Sequence, residues 1–294
     1  MKQPGGHVFF EKVLFETLGR PVAVRDAVFR SGGCINNALQ VKTNEGDYFI
    51  KWQSGIAGDM FEKEAAGLTL LKQAKCMNIP EVLAYGLMDG KHYLVLEYIE
   101  AGKKKNNYWE DFGSALASLH RQHAQPQFGL NHDNYIGKLP QSNTPDTNWV
   151  SFFINNRLEP QLRLAIENGL VSHRFIDRYR SLYDHLADLL PLEQPALLHG
   201  DLWSGNVMTG GNGQVCLIDP AVYYGHREIE LAFTRMFGGF AIEFYESYQQ
   251  AYPLETGFDQ RVPIYNIYPH MVHVNLFGTS YLSGVEPVLQ KYVD

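Results

Sequence analysis

Four polar residues interrupt two apolar runs in the stretch from Leu197 to Pro220, and they are His199, Asp201, Asn206 and Asp219. A hydrophobic core does not need these side chains, so they indicate chemistry or a buried network. The spacing His-x-Asp-x-x-x-x-Asn, followed by an aspartate at the end of a strand, is typical of phosphoryl transfer, in which the loop aspartate orients the acceptor hydroxyl. Each residue alone is explained equally well by hydrogen bonds in a tight loop, whereas the four together favour catalysis.

The residues between Asn206 and Asp219 predict a β-hairpin. The turn formers Gly-Gly-Asn-Gly at 210–213 lie between two short segments of strand-forming residues. The hairpin would bring Asn206 and Asp219 together at its open end, where an amide oxygen and a carboxylate suit Mg²⁺ once phosphates complete the octahedron. Asp201 precedes the hairpin on a loop without a nearby lysine or arginine in sequence, and we therefore expect it to accept a proton.

A second set of residues, far earlier in the chain, must supply the nucleotide side of such a reaction. Lys51 ends a predicted strand in the apolar sequence Tyr-Phe-Ile-Lys-Trp, and Glu64 lies on the packed face of a predicted helix at 60–72. A carboxylate directed into a core needs a partner, and Lys51 is the nearest candidate. The pair resembles the lysine and helix glutamate of kinases, with Lys51 also reaching the phosphates. Taken separately, an edge lysine and a partly exposed glutamate would be the default.

Gly32 and Gly33 lie between the first two predicted strands. Two glycines in such a hairpin let backbone N–H groups approach a phosphate closely. On its own this signal is weak, because most Gly-Gly hairpins bind nothing, and it gains weight only from Lys51 and Glu64.

The pattern of elements predicts an α+β fold of two lobes. We expect a helix at 11–18 and an antiparallel sheet of five strands, packed with the helix at 60–72. The strands are predicted at 22–29, 38–43, 48–52, 79–83 and 93–99. The chain turns polar at 100–107, which predicts an N-terminal lobe at 1–99, a linker at 100–107 and a mainly helical C-terminal lobe at 108–294 that carries the hairpin. By position in the connecting segment, the Glu97 carbonyl and the Ile99 N–H would face adenine.

In the second lobe, the apolar spacing predicts helices separated by one long loop at 125–148. Two short helices should be separated at Pro160, because proline interrupts the helical hydrogen-bond ladder. The expected helical segments are 108–123, 149–158, 161–168, 175–190, 228–237, 240–252 and 263–283.

Composition narrows the classes of partner. The 294 residues carry a net charge of −7, so no basic field is available to hold DNA or RNA. Three cysteines form neither a disulfide framework nor a CxxC pair. The N-terminus lacks the pattern of a signal peptide, and no apolar run reaches the length of a bilayer crossing. We therefore expect a cytoplasmic protein without a nucleic-acid or membrane partner.

With these residues assembled, the chain resembles the fructosamine (ketosamine-3) kinases, which are related to the aminoglycoside and choline kinases and share the protein-kinase-like fold. The resemblance covers nearly the whole chain. Its most specific mark is Leu-Trp-Ser-Gly between Asp201 and Asn206. The motifs that carry it are 32–34 Gly-Gly-Cys, 49–51 Phe-Ile-Lys, 60–64 Met-Phe-Glu-Lys-Glu, 199–206 His-Gly-Asp-Leu-Trp-Ser-Gly-Asn, 218–221 Ile-Asp-Pro-Ala, 225–228 Gly-His-Arg-Glu with 230–232 Glu-Leu-Ala, 237–240 Phe-Gly-Gly-Phe and 275–278 Asn-Leu-Phe-Gly.

The resemblance implies an ATP-dependent kinase that phosphorylates the 3-hydroxyl of ketosamines, which destabilises the sugar adduct and releases the lysine amine. It implies that Asp201 is the base and that Asn206 and Asp219 bind Mg²⁺. ATP would be bound by Lys51, fixed by Glu64, and by the segment that includes Cys34. The substrate would contact Trp203, and His199 and Glu230 would support the catalytic loop. Redox control through a disulfide between subunits at Cys34 is also implied, although many thiols in such loops stay free.

Two departures leave alternatives open. The chain has Asp-Pro-Ala at 219–221 in place of Asp-Phe-Gly, and it lacks Ala-Pro-Glu, which argues against a regulated protein kinase. Val272-His273-Val274 replaces the family's Asn-His-x, which favours a core or loop histidine over a substrate contact at His273. The rival functions are a kinase of the same fold with an aminoglycoside, macrolide or choline-like acceptor, and an inactive nucleotide-binding module. The chain is expected to be a monomer or a homodimer.

Overall fold

The computed structural model describes residues 7–29, 37–55, 58–122 and 125–294. Contacts divide the chain into two compact units. The first contains Met1–Tyr108 and Gly205–Pro220, and the second contains Trp109–Ser204 and Ala221–Asp294. Within the described residues, no helix combines the length and the apolar content needed to cross a bilayer.

The elements up to the predicted linker alternate between helix and sheet. In chain order they are α1 (Val8–Leu18), β1 (Val24–Phe29), β2 (Asn37–Thr43), β3 (Asp47–Gln53), α2 (Met60–Gln73), β4 (Val82–Met88) and β5 (Lys91–Glu97).

From Tyr108 onward the described chain is mainly helical, with short strands between the helices. These elements are α3 (Tyr108–Gln122), β6 (Asn134–Ile136), β7 (Leu139–Gln141), α4 (Trp149–Phe153), a π-turn (Ile154–Leu158), α5 (Glu159–Glu167), α6 (His173–Ser181), α7 (Leu186–Leu189), β8 (Ala196–Leu198), β9 (Val207–Thr209), β10 (Val215–Leu217), β11 (Tyr223–Gly225), α8 (Arg227–Thr234), α9 (Ile242–Ala251), α10 (Phe258–Tyr265), α11 (Ile267–Phe277) and α12 (Glu286–Tyr292).

The first unit is built on a five-stranded antiparallel sheet in the order β1-β2-β3-β5-β4. Side chains alternate between its faces. Ile50 of β3 is fully buried in a core with Val13 and Leu14 of α1. The next residue, Lys51, is therefore directed to the opposite face, where it is in register with Ala38 and Leu94. The alternation of β3 thus places a lysine among buried neighbours.

Helix α2 presents an apolar face at intervals of three and four residues. Phe61, Ala65, Leu68 and Leu71 are all buried on it. Glu64 precedes Ala65 and lies three residues after Phe61, so its carboxylate is carried toward the same packed side. This confirms the sequence-based placement of Glu64.

The hairpin of β9 and β10 belongs to the first unit because the linker is hydrogen-bonded to it. Gly102 N donates to Thr209 O at 2.9 Å, and Lys105 N donates to Gly213 O at 3.1 Å. The three lysines at 103–105 are exposed as expected, although their backbone is held. On the other side, Leu217 N donates to Asn78 O at 3.1 Å. The sequence assigned this hairpin to the second lobe, and these contacts explain why it packs with the first unit instead.

The fourth strand differs from its prediction at 79–83. β4 is an edge strand whose outward side chains are apolar, including Leu83, Tyr85 and Leu87, so it lacks the polar alternation that marks a half-exposed strand. Ile79 is buried outside the sheet, beside the bridge from Asn78 to Cys216.

The predicted break at Pro160 is wrong, since Pro160 lies in the first turn of α5 and a π-turn joins α5 to α4. Proline at position 160 has no N–H to donate to the carbonyl of Asn156, and this carbonyl accepts from Arg157 Nη1 at 2.8 Å instead.

Conversely, the single helix predicted at 263–283 is divided. Pro269 cannot donate to the carbonyl of Tyr265, and α10 ends there before α11 begins at Ile267.

Two other predicted segments also differ in detail. The helix expected at 175–190 consists of α6, a 3₁₀ turn at Leu182–His185 and α7. The loop expected at 125–148 contains the small hairpin of β6 and β7. It is tied to the segment that follows the hairpin of β9 and β10, because Asn134 Nδ2 donates to Val222 O at 2.8 Å.

Candidate active site

In the first unit, Lys51 contacts two carboxylates. Its Nζ lies 2.6 Å from Glu64 Oε1 and 2.6 Å from Asp219 Oδ1. The Lys51 side chain is 4% exposed, compared with 13% for Glu64 and 24% for Asp219. The predicted pair of Lys51 and Glu64 is therefore present, and Asp219 joins it from the end of the hairpin.

The charge of Lys51 is set by two opposing effects. Burial alone would lower the pKa of its ammonium, because the charged form loses water. The carboxylates of Asp219 and Glu64 outweigh this effect and raise the pKa above its ordinary value. Lys51 is thus a cation at neutral pH, aimed at the hairpin end.

Asn206 and Asp219 meet at the open end of the hairpin. Leu217 pairs with Val207, and Ile218 N donates to Asn206 O at 3.1 Å, so Asp219 follows directly beside Asn206. Asp219 has φ +55°, a left-handed conformation that costs a non-glycine residue about 1–2 kcal/mol. The hairpin and Lys51 together hold it there.

The oxygen donors of Asn206 and Asp219 at the open end of the hairpin suit Mg²⁺, but they are too few to hold a metal ion without other ligands. They belong to one amide and one carboxylate, which are hard oxygen donors. No group of three or more His, Cys, Asp or Glu ligands occurs within the described ranges. A cation here would therefore take its remaining ligands from phosphates and water.

In the second unit, Asp201 lies on a tightly fixed loop that follows β8. Its N–H donates to His199 Nδ1 at 3.3 Å, and the His199 carbonyl accepts from Ala221 N at 2.9 Å. Gly200 between them has φ +82°, and a Cβ at this position would overlap the Ala221 carbonyl oxygen. Only glycine satisfies both requirements, so the loop conformation is built into the sequence.

Glu230 supports this loop from α8. Its Oε1 accepts from Gly200 N at 2.7 Å, and its Oε2 contacts His120 Nε2 at 2.9 Å. Burial by itself would raise the pKa of Glu230, but His120, His199 and the Gly200 amide outweigh it and lower the pKa. A buried, ionised carboxylate thus anchors the backbone immediately before Asp201.

Asp201 opens onto a small cavity in the second unit. Glu230 and Gly200 line one side, and Phe233 and His273 belong to its apolar and aromatic side. A carboxylate beside an apolar wall can receive a hydroxyl whose carbon skeleton packs against that wall.

An aromatic cluster continues outward from this cavity. The ring centroid of Phe237 lies 5.8 Å from Trp203 and 4.9 Å from His273. Phe237 is 42% exposed and has φ +51°, so the chain holds a strained, exposed aromatic residue between them. His273 is a helical residue whose Nδ1 donates to Pro269 O at 2.7 Å, in agreement with the structural role favoured from sequence, yet it also lines the cavity.

The remaining predicted site residues lie in two places. Glu97 ends β5, with its side chain accepting from Glu81 N at 3.1 Å, and Ile99 follows in the connecting segment. Gly32, Gly33 and Cys34 lie outside the described residues, so their predicted contacts with phosphate and the redox role of Cys34 stay predictions.

His120 was not predicted as a site residue, and Phe237 was named only as part of the Phe-Gly-Gly-Phe motif. His120 follows the buried Leu116 of α3 by four residues, so it lies on the buried helix face, where a histidine needs polar partners. Phe237 precedes Gly-Gly, but a left-handed phenylalanine has no sequence signature.

Known proteins similar to this chain are named as kinases of sugar–amine adducts. A family model described as fructosamine kinase matches residues 9–294. A protein named probable ketoamine kinase from Enterococcus faecium is 38% identical over 263 residues, covering 89% of this chain and 93% of that protein. A chloroplastic protein-ribulosamine 3-kinase of Oryza sativa is 34% identical, covering 94% of this chain and 81% of its own length.

Solved structures agree on the fold. The crystal structure of a protein assigned as a fructosamine-3-kinase from Haemophilus somnus has a TM-score of 0.87 and 29% identity, covering 97% of each chain. The complex of an aminoglycoside phosphotransferase with AMP-PNP and hygromycin B has a TM-score of 0.65 and 15% identity, covering 96% of this chain and 98% of that one, a likeness of fold alone. The predicted α+β, protein-kinase-like fold is confirmed.

Proposed function

Because this chain belongs to the fructosamine kinase family, we propose that it is an ATP-dependent kinase that phosphorylates the sugar 3-hydroxyl of ketosamines. The observation that carries phosphoryl transfer is Lys51, bonded at 2.6 Å to both Glu64 and Asp219. The acceptor class is supported by the ketoamine and ribulosamine kinases among its relatives. Phosphorylated at this hydroxyl, the sugar adduct is destabilised and the lysine amine is recovered, which is a repair of glycated amines.

In the first unit we assign the nucleotide to Lys51, which would bind its phosphates while Glu64 fixes the ammonium. The Glu97 carbonyl and the Ile99 N–H are proposed to contact adenine, and the segment with Gly32, Gly33 and Cys34 to cover the phosphates. Asn206 and Asp219 would hold Mg²⁺ through their oxygens. When bound, Mg²⁺ neutralises charge on the β- and γ-phosphates.

In the second unit we assign Asp201 as the base. The sugar hydroxyl would donate its proton to the Asp201 carboxylate while the hydroxyl oxygen bonds to the γ-phosphorus. The bond from that phosphorus to the β,γ-bridging oxygen breaks, and ADP leaves. Glu230 and His199 would keep Asp201 in place, and Trp203 would pack against the substrate. No covalent enzyme intermediate is needed, because the transfer is direct.

Two other functions make different predictions. A kinase for an aminoglycoside or a choline-like alcohol would use the same residues with another acceptor. An inactive nucleotide-binding module would bind ATP without turnover, although Lys51, Asp201, Asn206 and Asp219 are all present.

We also propose a cytoplasmic location, although the rice relative is named chloroplastic. A monomer or a homodimer remains the proposed assembly.

The test compares ADP release by the wild type and Asp201→Ala with four acceptors: fructose-lysine, ribulose-lysine, kanamycin and choline. We expect turnover with the two ketosamines, and loss of about 100- to 10,000-fold in Asp201→Ala, the range of a general base. Turnover with kanamycin or choline alone would contradict the proposed acceptor. Equal background hydrolysis of ATP in both proteins with every acceptor would contradict the proposed kinase activity. We expect turnover to be abolished by omission of Mg²⁺ and also by Asp219→Asn at saturating Mg²⁺.

A further inference from the structure

A series of buried hydrogen bonds leads from α9 to the loop of Asp201 within the second unit. Tyr248 on α9 contacts His120 Nδ1 on α3 through its hydroxyl at 2.9 Å. The other ring nitrogen of His120 lies 2.9 Å from Glu230 Oε2 on α8. Glu230 Oε1 then accepts from Gly200 N at 2.7 Å, one residue before Asp201. All three side chains are at most 2% exposed.

The two hydrogen bonds of His120 hold its ring between Tyr248 and Glu230. Glu230 is an ionised acceptor, so His120 Nε2 must carry the hydrogen that lies between them. Burial raises the pKa of the Tyr248 phenol, which therefore keeps its hydrogen. The Tyr248 hydroxyl bonds Nδ1, the other ring nitrogen of His120. The phenol thus fixes the ring orientation in which Nε2 donates to Glu230.

This arrangement acts on the backbone of the loop. A buried, ionised carboxylate needs each of its oxygens bonded, and His120 and the Gly200 N–H bond one oxygen each. If His120 were lost, Glu230 would turn toward another donor and release the Gly200 amide. Since Gly200 is held against Ala221 with no room for a side chain, a shift there moves Asp201 directly.

We propose that His120 and Tyr248 are positioning residues of the phosphoryl transfer, which fix Glu230 and through it the place of Asp201. The inference rests on the proposed role of Asp201 and adds residues from two helices, α3 and α9, to the machinery. Neither side chain touches the reacting groups. Their effect should therefore be on kcat, with the KM for ATP unchanged.

The variants His120→Gln and His120→Asn separate positioning from packing. The amide nitrogen of Gln corresponds to Nε2 of histidine and can still donate to Glu230. The amide of Asn corresponds to Nδ1 and cannot reach it. We expect His120→Asn to lower kcat about 10- to 100-fold, the range for misplaced catalytic groups, while His120→Gln stays within about threefold of the wild type.

Tyr248→Phe removes the hydroxyl that bonds His120 Nδ1 and that also interacts with Arg227. It should lower kcat less than His120→Asn does, because the bond from His120 to Glu230 remains. Its matched control is Tyr179→Phe, because Tyr179 is fully buried and its hydroxyl has no hydrogen-bond partner in the described structure. We expect wild-type kcat in the control. Equal kcat in His120→Asn and His120→Gln, or lower melting temperatures with unchanged kcat in all variants, would overturn the proposal.

A second measurement does not depend on the acceptor. Exchange of the Gly200 amide hydrogen, followed by ¹H–¹⁵N NMR in the ligand-free protein, reports the bond to Glu230 directly. It should be slow in the wild type, Tyr179→Phe and His120→Gln, and at least about tenfold faster in His120→Asn. Unchanged protection in His120→Asn would overturn the positioning role even if no acceptor is phosphorylated. If His120→Asn loses protection of the Gly200 amide but the wild type phosphorylates no acceptor, the positioning role stands and only the proposed function is contradicted.

Discussion

Lys51 Nζ lies 2.6 Å from Asp219 Oδ1, although the two residues are 168 positions apart in the chain. The same ammonium lies 2.6 Å from Glu64 Oε1. One buried cation therefore balances a carboxylate from α2 and a carboxylate from the end of the hairpin. This contact ties the predicted metal end of the site to the predicted phosphate-binding lysine within the first unit.

Removal of the cation should leave two carboxylates without their partner. Lys51→Met is expected to lower the free energy of unfolding by about 3–5 kcal/mol, as found when one member of a buried ion pair is removed. Adding Glu64→Gln should restore part of the loss, because one of the unpaired charges is then gone. Urea unfolding measures both, with the exposed Lys138→Met as the control. A double variant no more stable than Lys51→Met would contradict this balance of charge.

The loop of Asp201 should not tolerate a side chain at Gly200. Gly200→Ala would place a Cβ onto the Ala221 carbonyl oxygen at φ +82°. We expect kcat to fall about 100-fold, since small displacements of a catalytic group are this costly, while ATP affinity stays at the wild-type value. The matched control is Gly169→Ala, at φ +65° with no atom near its Cβ position. If Gly200→Ala keeps its kcat, or if the control loses as much, the loop is not the sensitive element.

Stability should fall as the solution is acidified, because His226 is buried in its neutral form. Burial lowers the pKa of His226 to about 4 from its ordinary 6.5, with Glu193 opposing the shift and Arg227 and Arg261 adding to it. Between these values the unfolded chain binds a proton that the folded chain does not, so the free energy of unfolding decreases as pH falls. The expected contribution is about 2–3 kcal/mol between pH 7 and pH 4.

This pH dependence is measured by denaturant unfolding across that range. His226→Asn should be less stable at pH 7 and should show a flatter profile, whereas the exposed His173→Asn should follow the wild type. A His226→Asn profile as steep as that of the wild type would show that other groups cause the loss.

The aromatic cluster beside the cavity should bind the acceptor. Phe237 holds a left-handed conformation with its ring between Trp203 and His273. Phe237→Ala is expected to raise the KM for the ketosamine about tenfold through loss of aromatic packing, with the KM for ATP unchanged. Phe15→Ala removes a similarly exposed ring from α1 and serves as the control. A rise in the KM for ATP, or none in the KM for the acceptor, would argue against this surface as the acceptor site.

Much of the first unit could be predicted from sequence because its signals are local. Lys51 was singled out as a lysine at the end of a predicted apolar strand, and the helical spacing around Glu64 put its carboxylate on the packed face. The hairpin followed from its Gly-rich turn. What local pattern could not supply is the contact of Lys51 with Asp219, which depends on how the linker and Asn78 hold the hairpin.

The second unit was less predictable where polar groups are buried. A lone His120 in a core stripe carries no sign of its partners, since Glu230 and Tyr248 are 110 and 128 residues away. Helix breaks also depended on tertiary bonds: Pro160 is accommodated by a π-turn and by Arg157, whereas Pro269 separates two helices. Spacing alone does not distinguish these two outcomes.

The position of the transferred phosphate tests the proposed ketosamine 3-kinase activity most directly. The wild-type protein is incubated with Mg²⁺, ATP and ribulose-lysine or fructose-lysine, and the product is examined by ³¹P and ¹³C NMR. We expect one phosphate ester on the sugar 3-oxygen, formed in step with ADP and absent with Asp201→Ala. A phosphate on another hydroxyl, or ADP released with inorganic phosphate and no phosphorylated ketosamine, would contradict this activity.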